Sequence, residues 1–445
     1  MHYRIRLEGT SPDIMVRRPC PSLVQFPREK IAQEAATAAV IAKETGLLIP
    51  RLHFYGEESP VGPYVMMDHV ESQGSVSARL TRPSEDPSEA HVLDSAVADS
   101  TLEAIWGQIA QCYLQLYQLT FPRIGSFLET APGNYDVAGR PITHNMTDMI
   151  RLANVPRSVL PPEGTTYTMA DGWYTALAEM HIAQLTFQHN DAVVSEDDCR
   201  NKYVARQIFR GLAMQGRLST FGFSDDRWSA HSSKIPASAL LPAPSGSDNF
   251  RLWGDDFRAG NILLTSSDEI AALIDWEFAY VGPTQFSLDP PWWLLLETVE
   301  MWESGMDDWC EVYQKRLKTW LAAMRKAEAD TDNSSLSSTS LSAPLSAYME
   351  QSWETGRFFL NYAARKSWAF DAVYWNYLDE RFFGDRESGV AGHDLWRTRF
   401  HLLTDEERAA MEPFVARKMA EAEERRLVDW DPVEAKDSLS KLLFD

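Results

Sequence analysis

Cysteine is scarce in this chain of 445 residues. Cys20, Cys112, Cys199 and Cys310 are scattered, with no C-x-x-C pair and no histidine nearby. That pattern argues against a disulfide framework and a zinc site, and it fits a reducing compartment. Long apolar runs are missing too. Those such as Trp292 to Leu296 are far too short to span a bilayer. The opening Met-His-Tyr-Arg-Ile-Arg-Leu has no apolar core for a signal peptide. A cytoplasmic location is the expectation. Basic residues are the third shortage: Lys and Arg number 42 against 64 Asp and Glu, a formal charge of −22. Such a surface repels polyanions, so neither nucleic acid nor membrane is expected as a partner. It favours solubility and, more weakly, a cationic small-molecule substrate.

What is present points to packing. Hydrophobic residues make up 44% of the chain and charged residues 24%, with 15 Trp. That is the ordinary globular range, and the length suits two or three domains or lobes. Residues 1–71 read as mixed strand and helix. Tyr3 to Leu7 alternates polar and apolar, Glu8-Gly9-Thr10 supplies a turn, and Ile14-Met15-Val16 follows as a second strand. Pro27 to Lys43 reads as helix, and His53-Phe54-Tyr55 and Tyr64 to Met67 as two more strands. Residues 72–100 are polar and proline-bearing, which predicts a loop or insertion.

From Leu102 the pattern turns helical, with Ile105, Ile109, Cys112, Tyr113 and Leu116 on one face. Trp173 to Gln188 is a further helix, and helices resume from Trp292 to Lys326. Residues 101–330 form a larger lobe on this reading. Residues 331–346 are a Ser-rich connector, and 347–445 a helical extension.

The informative segment is Leu252-Trp253-Gly254-Asp255-Asp256-Phe257-Arg258-Ala259-Gly260-Asn261-Ile262-Leu263-Leu264, followed by Ile270-Ala271-Ala272-Leu273-Ile274-Asp275-Trp276-Glu277. D-x-x-x-x-N alone is weak. Here it precedes a short apolar strand, a Ser-Ser-Asp turn, a second apolar strand and an acidic residue at that strand's end. Phosphoryl transfer needs oxygen ligands for Mg²⁺ at the nucleotide phosphates and a carboxylate to deprotonate the acceptor. Asp256, Asn261 and Asp275 supply that set. An Asx-rich turn between two strands is the plainer alternative.

The run from Trp253 through Pro290-Pro291-Trp292-Trp293 resembles the fungal branch of the aminoglycoside phosphotransferase family, which is choline-kinase-like and has a protein-kinase-like fold. Ile49-Pro50-Arg51, Phe121 to Ser126, Ser352 to Phe358 and Arg381 to Gly384 extend the likeness over nearly the whole chain. The resemblance implies an α+β, two-lobed fold with a small mixed sheet in the N-terminal lobe and a mainly helical C-terminal lobe. It implies ATP and Mg²⁺ as cofactors and a hydroxyl of a small molecule as acceptor. By position, Asp256 is the expected catalytic base, and Arg258 neutralises charge on the transferring group. On the same resemblance Asn261 and Asp275 are expected to hold Mg²⁺. Val16-Arg17-Arg18-Pro19 resembles the family's V-R-x-P strand, which makes Arg17 the phosphate-binding cation, with Arg18 competing, and Glu34 its carboxylate partner. Met67, Asp68 and Val70 fall at the hinge that reads the adenine edge through backbone groups.

Trp292 and Trp293 either line the acceptor pocket or pack a helix start. His53, His69, His181 and His189 show no ligand spacing. Two departures stand out. Gly254 occupies a position that is usually histidine in these kinases, and no Gly-rich loop precedes Tyr3. Either the start lies upstream or ATP is held without that cover. Three functions follow: a small-molecule kinase, a non-catalytic binding protein on the same fold, or another nucleotide transfer such as adenylylation.

Overall fold

The computed structural model describes residues 1–9, 12–20, 23–60, 62–86, 89–244, 249–332 and 342–444. Most of the Ser-rich connector, and Thr10 of the expected turn, lie outside them. The fold is α+β, rich in helix, with small separate sheets. The chain divides into two compact units, residues 1–142 with 244–351, and residues 143–243 with 352–445.

In the first unit, β1 (His2–Ile5) and β2 (Ile14–Arg17) pair antiparallel, with Tyr3 opposite Val16. After β2 comes α1 (Pro27–Glu44). Pro27 sits in its first turn, where a missing N–H costs nothing. Strands β3 (Leu52–Gly56) and β4 (Tyr64–Asp68) form the next antiparallel pair. β4 lies between β2 and β3, giving the order β1-β2-β4-β3. Every pairing in this sheet is antiparallel. The mixed sheet expected from the sequence is corrected on this point: β4 turns back from β3 and runs opposite to both its neighbours.

Residues 72–100 are not all loop, because β5 (Gly74–Ser75) and α2 (Val76–Leu80) form there, the latter capped by Ser75. β5 pairs with β9 (Ile262–Leu264), which pairs in turn with β10 (Ile270–Leu273). α3 (Asp99–Gln118) packs on the helix Met306–Asp332. Trp320 anchors this pair, with its ring edge-on to Trp106, Tyr113 and Trp293. Trp293 is 1% exposed, so packing accounts for it rather than an acceptor pocket. A hairpin of β6 (Ser126–Ala131) and β7 (Asn134–Gly139) lies against α1, and β8 (Arg251–Gly254) pairs with β11 (Ala279–Gly282).

The second unit is helical. Ala170–Phe187 and Glu196–Met214 pack together, and Arg357–Ala364, Asp405–Glu424 and Pro432–Leu443 complete its longer helices after residue 352. The Arg206 guanidinium is buried between Asp371 and the Gln184 side chain. Burial raises the Asp371 carboxyl against the pull of Arg206. Among the described residues no helix is long and apolar enough to cross a membrane.

Candidate active site

Two short hairpin ends bring the motif residues together. β8 ends at Gly254, and its carbonyl accepts from the Phe257 N–H at 3.0 Å, turning the chain outward. Of the adjacent acids, Asp255 is 2% exposed and receives the Trp253 indole N–H. Asp256 belongs to the loop. The Asn261 side-chain amide donates to the Asp256 backbone carbonyl at 2.8 Å and to its carboxylate at 3.1 Å. Arg258 Nε donates to the other Asp256 oxygen at 2.8 Å. With its NH₂ group committed, Asn261 keeps its amide oxygen for another partner.

The β9–β10 hairpin then returns the chain to the same loop, and the Ile274 N–H donates to the Asn261 carbonyl at 2.9 Å. Asp275 follows in a left-handed conformation at φ 65°, uncommon for any residue but glycine and easiest for Asp and Asn. Such strained positions persist where surrounding structure over-determines them. Here a cation does so, as Arg17 Nη1 donates to Asp275 Oδ1 at 2.6 Å. The same guanidinium bonds Glu34 of α1 and lies 3.7 Å from Glu277. A second cation completes the cluster: Lys30 Nζ, 3% exposed, sits 2.9 Å from Glu277 and 3.8 Å from the Phe278 ring centre.

The two members of the Arg17–Glu34 pair respond differently to their setting. Burial works against the Arg17 charge, but Glu34, then Asp275 and Glu277, outweigh it and hold its pKa above the usual value. Glu34 is deeper, 4% exposed, and faces one cation and two further carboxylates. Burial pushes its carboxyl up to about 7, Arg17 pulls it down, and Asp275 and Glu277 raise it again. Between pH ~4.5 and ~7 the folded chain therefore holds a proton that the unfolded chain has released, so this group's contribution to stability falls as pH rises through that window. A rise from 4.5 to about 7 corresponds to on the order of 3 kcal/mol. Glu34→Gln is expected to match wild type in urea melts near pH 5 and to exceed it near pH 8. Parallel pH profiles for the two proteins would contradict this account of Glu34.

The residues expected at the hinge lie at the end of β4 and just after it. Met67 and Asp68 lie inside β4. The Asp68 N–H is taken by the Arg51 carbonyl at 2.9 Å and that of His69 by the Asp13 carbonyl at 2.7 Å. Among the described residues no acceptor takes the Val70 N–H. The Asp68 carboxylate meets His53 Nε2 at 2.5 Å. A cavity of about 720 Å³ lies elsewhere in this unit, against the end of α1, the Gln118–Arg123 loop and the β6–β7 hairpin. None of the candidate residues lines it.

Lys30 and Glu277 are the site residues that sequence reasoning missed. Lys30 lies one turn before Glu34 on the buried face of α1, and Glu277 lies two residues after Asp275, so spacing carried a signal for Glu277 only. Among the described residues no group of three or more His, Cys, Asp or Glu side chains could hold a metal ion. The donor set fits Mg²⁺ nonetheless. Asn261 and Asp275 offer hard oxygens, and Mg²⁺ is characteristically held by one or two protein oxygens with phosphates and water completing its shell.

The sequence profile of the phosphotransferase enzyme family matches residues 149–329, which include Asp256, Asn261 and Asp275 but not Arg17 or Glu34. No curated protein matches the chain. Among solved structures, the chain is similar to macrolide 2′-phosphotransferase type I at 12% identity, covering 83% of this chain and 82% of that one, with a TM-score of 0.37. It is also similar to an aminoglycoside 2′-phosphotransferase in complex with GDP, at 12% identity, 94% and 89% coverage and a TM-score of 0.38. A thermostable mutant of aminoglycoside phosphotransferase APH(4)-Ia in ternary complex with AMP-PNP and hygromycin B gives 12%, 94% and 93%, and a TM-score of 0.35. Likeness at this level leaves fold family and activity to be argued from the site.

Proposed function

We propose that this protein is an ATP- and Mg²⁺-dependent phosphotransferase acting on a hydroxyl of a small molecule, on a two-lobed kinase-like scaffold with lobe boundaries near residues 71 and 330. The observation that carries the reading is the convergence of three elements. Asn261 is fixed against Asp256, the next backbone bond places Asp275 beside them, and Arg17 reaches Asp275 from the strand sheet. The family profile over residues 149–329 supports it independently. On this reading Asp256 accepts the acceptor's proton, and half-exposed Arg258 leaves it to meet developing charge. On the same reading Arg17 meets phosphate oxygens, with Glu34 holding its guanidinium. Mg²⁺ held by Asn261 and Asp275 would supply electrostatic stabilisation of the transferring phosphoryl group. Val70 offers a backbone donor for the nucleotide base.

The test is ATP turnover by the purified chain over a panel of metabolite hydroxyls and amines, with product mass measured. A product heavier by one phosphoryl group supports the reading, and a nucleotidyl adduct replaces it with adenylyl transfer. Asp275→Ala is expected to weaken MgATP binding by roughly one to two powers of ten, since a lost charge-assisted contact costs ~1.5–3 kcal/mol. Titration calorimetry reads this directly, and unchanged affinity would remove Asp275 from the metal site.

One observation favours a second reading, a nucleotide-binding protein without catalysis. Both carboxylate oxygens of Asp256 already have partners within the chain. MgATP binding without turnover of any acceptor, water included, would establish that reading instead.

A further inference from the structure

Gly254 stands where the resembled kinases carry histidine, and the structure shows why a side chain does not fit there. A β-carbon on Gly254 would lie 2.6 Å from the Phe257 β-carbon, closer than such atoms approach in real structures. Phe257 is not free to withdraw, because its ring is held on two sides. It stacks on Trp276, with ring centres 5.6 Å apart and planes 17° from parallel, and it leans on Tyr113 at 5.3 Å. Phe257 directly follows Asp256, and Trp276 directly follows Asp275. The stack therefore joins the loop of the expected base to the loop of the expected metal ligand. Trp276 is 5% exposed, and among the described residues its indole N–H meets no acceptor. Its ring face, rather than a hydrogen bond, is what the site uses.

We propose that the Phe257–Trp276 stack is the positioning element of this site, keeping Asn261 and Asp275 in register in place of a histidine at position 254. This rests on the preceding assignment of Asn261 and Asp275 as joint holders of the metal that accompanies the nucleotide. Neither aromatic ring need touch substrate or metal. They act through the loops they join, with the Ile274–Asn261 backbone bond fixing the other end of the same junction. Histidine is absent because Phe257 occupies the space its β-carbon would need. Gly254→His is accordingly expected to lower the thermal midpoint, and not to raise activity.

Binding of ATP with Mg²⁺ and with EDTA separates positioning from general structural support. Trp276→Leu and Phe257→Leu keep apolar bulk and lose the stack. Each is expected to weaken MgATP binding roughly two- to tenfold, the scale of one aromatic pair, while ATP in EDTA binds as in wild type. Trp276→Phe keeps a stacking ring and should restore most of the loss. The double variant should be no worse than the worse single one, because both changes break one contact. Phe257→Leu alone carries the test if Trp276→Leu does not fold. Equal losses with and without Mg²⁺, no loss, or a double variant equal to the product of the singles would each overturn the coupling. A wild-type chain that binds no MgATP would overturn the functional reading, and this inference with it.

Discussion

Asp256→Asn is expected to lower turnover by a factor on the order of 10²–10⁴ while leaving MgATP affinity within a few-fold of wild type. That factor corresponds to ~3–5 kcal/mol of transition-state stabilisation, the scale of a removed general base. The geometry explains why binding should survive. The Asn261 amide bonds the Asp256 backbone carbonyl as well as its carboxylate, so the loop keeps its shorter bond when the carboxylate is neutralised. The Arg258 contact is lost, but Arg258 is 47% exposed, and exposed pairs contribute at most ~1 kcal/mol. Phosphate release to water gives a readout before the acceptor is known. If Asp256→Asn and Asp275→Ala change nucleotide affinity equally, the division between proton acceptor and metal ligand is wrong.

How much of this site was legible in the sequence depended on how local each contact is. Asp256 and Asn261 lie five residues apart in one loop, and Asp275 ends a strand whose apolar run is plain, so the spacing read with its strand context suggested the set. Arg17 and Glu34 sit on different elements, and only the resemblance to a kinase family paired them. The Lys30–Glu277 bond joins residues 247 positions apart, and nothing in the local pattern of α1 marks Lys30 as buried rather than solvated. The β6–β7 hairpin was also missed, although Pro132-Gly133 punctuates it and Gly133 has φ 72°. The expected helix start at Trp292 shows the opposite error. The apolar run Trp292 to Leu296 reads as a helix, but Leu296 is left-handed at φ 66° and interrupts it. The long helix begins at Met306, with Asp307 and Asp308 in its first turn. Gly254 was legible as a departure, but the clash that a β-carbon there would make with Phe257 lay in three dimensions.

Arg17→Met should have the largest effect on stability, about 3–5 kcal/mol, because it removes one cation from among three carboxylates. The three are not equally able to bear that loss. The side chains of Asp275 and Glu277 are 31% and 24% exposed and can recruit water, whereas that of Glu34 is 6% exposed. Without Arg17 the one strong downward pull on the Glu34 carboxyl disappears, so its pKa must climb beyond about 7. Near pH 6 Glu34 is then largely neutral in both proteins, and its share of the loss is small. Near pH 8 the variant must bury an unpaired charge or bind a proton, so the loss is greatest there. Arg17→Lys restores the charge but not the fork that spans Glu34 and Asp275, and should recover only part of the stability. MgATP affinity should fall in both variants, more in Arg17→Met, because the phosphate contact proposed for Arg17 goes with the guanidinium. Urea melts at pH 6 and pH 8 decide the electrostatic account. A loss for Arg17→Met that is the same at both pH values would mean that Glu34 is not the group left exposed by its removal.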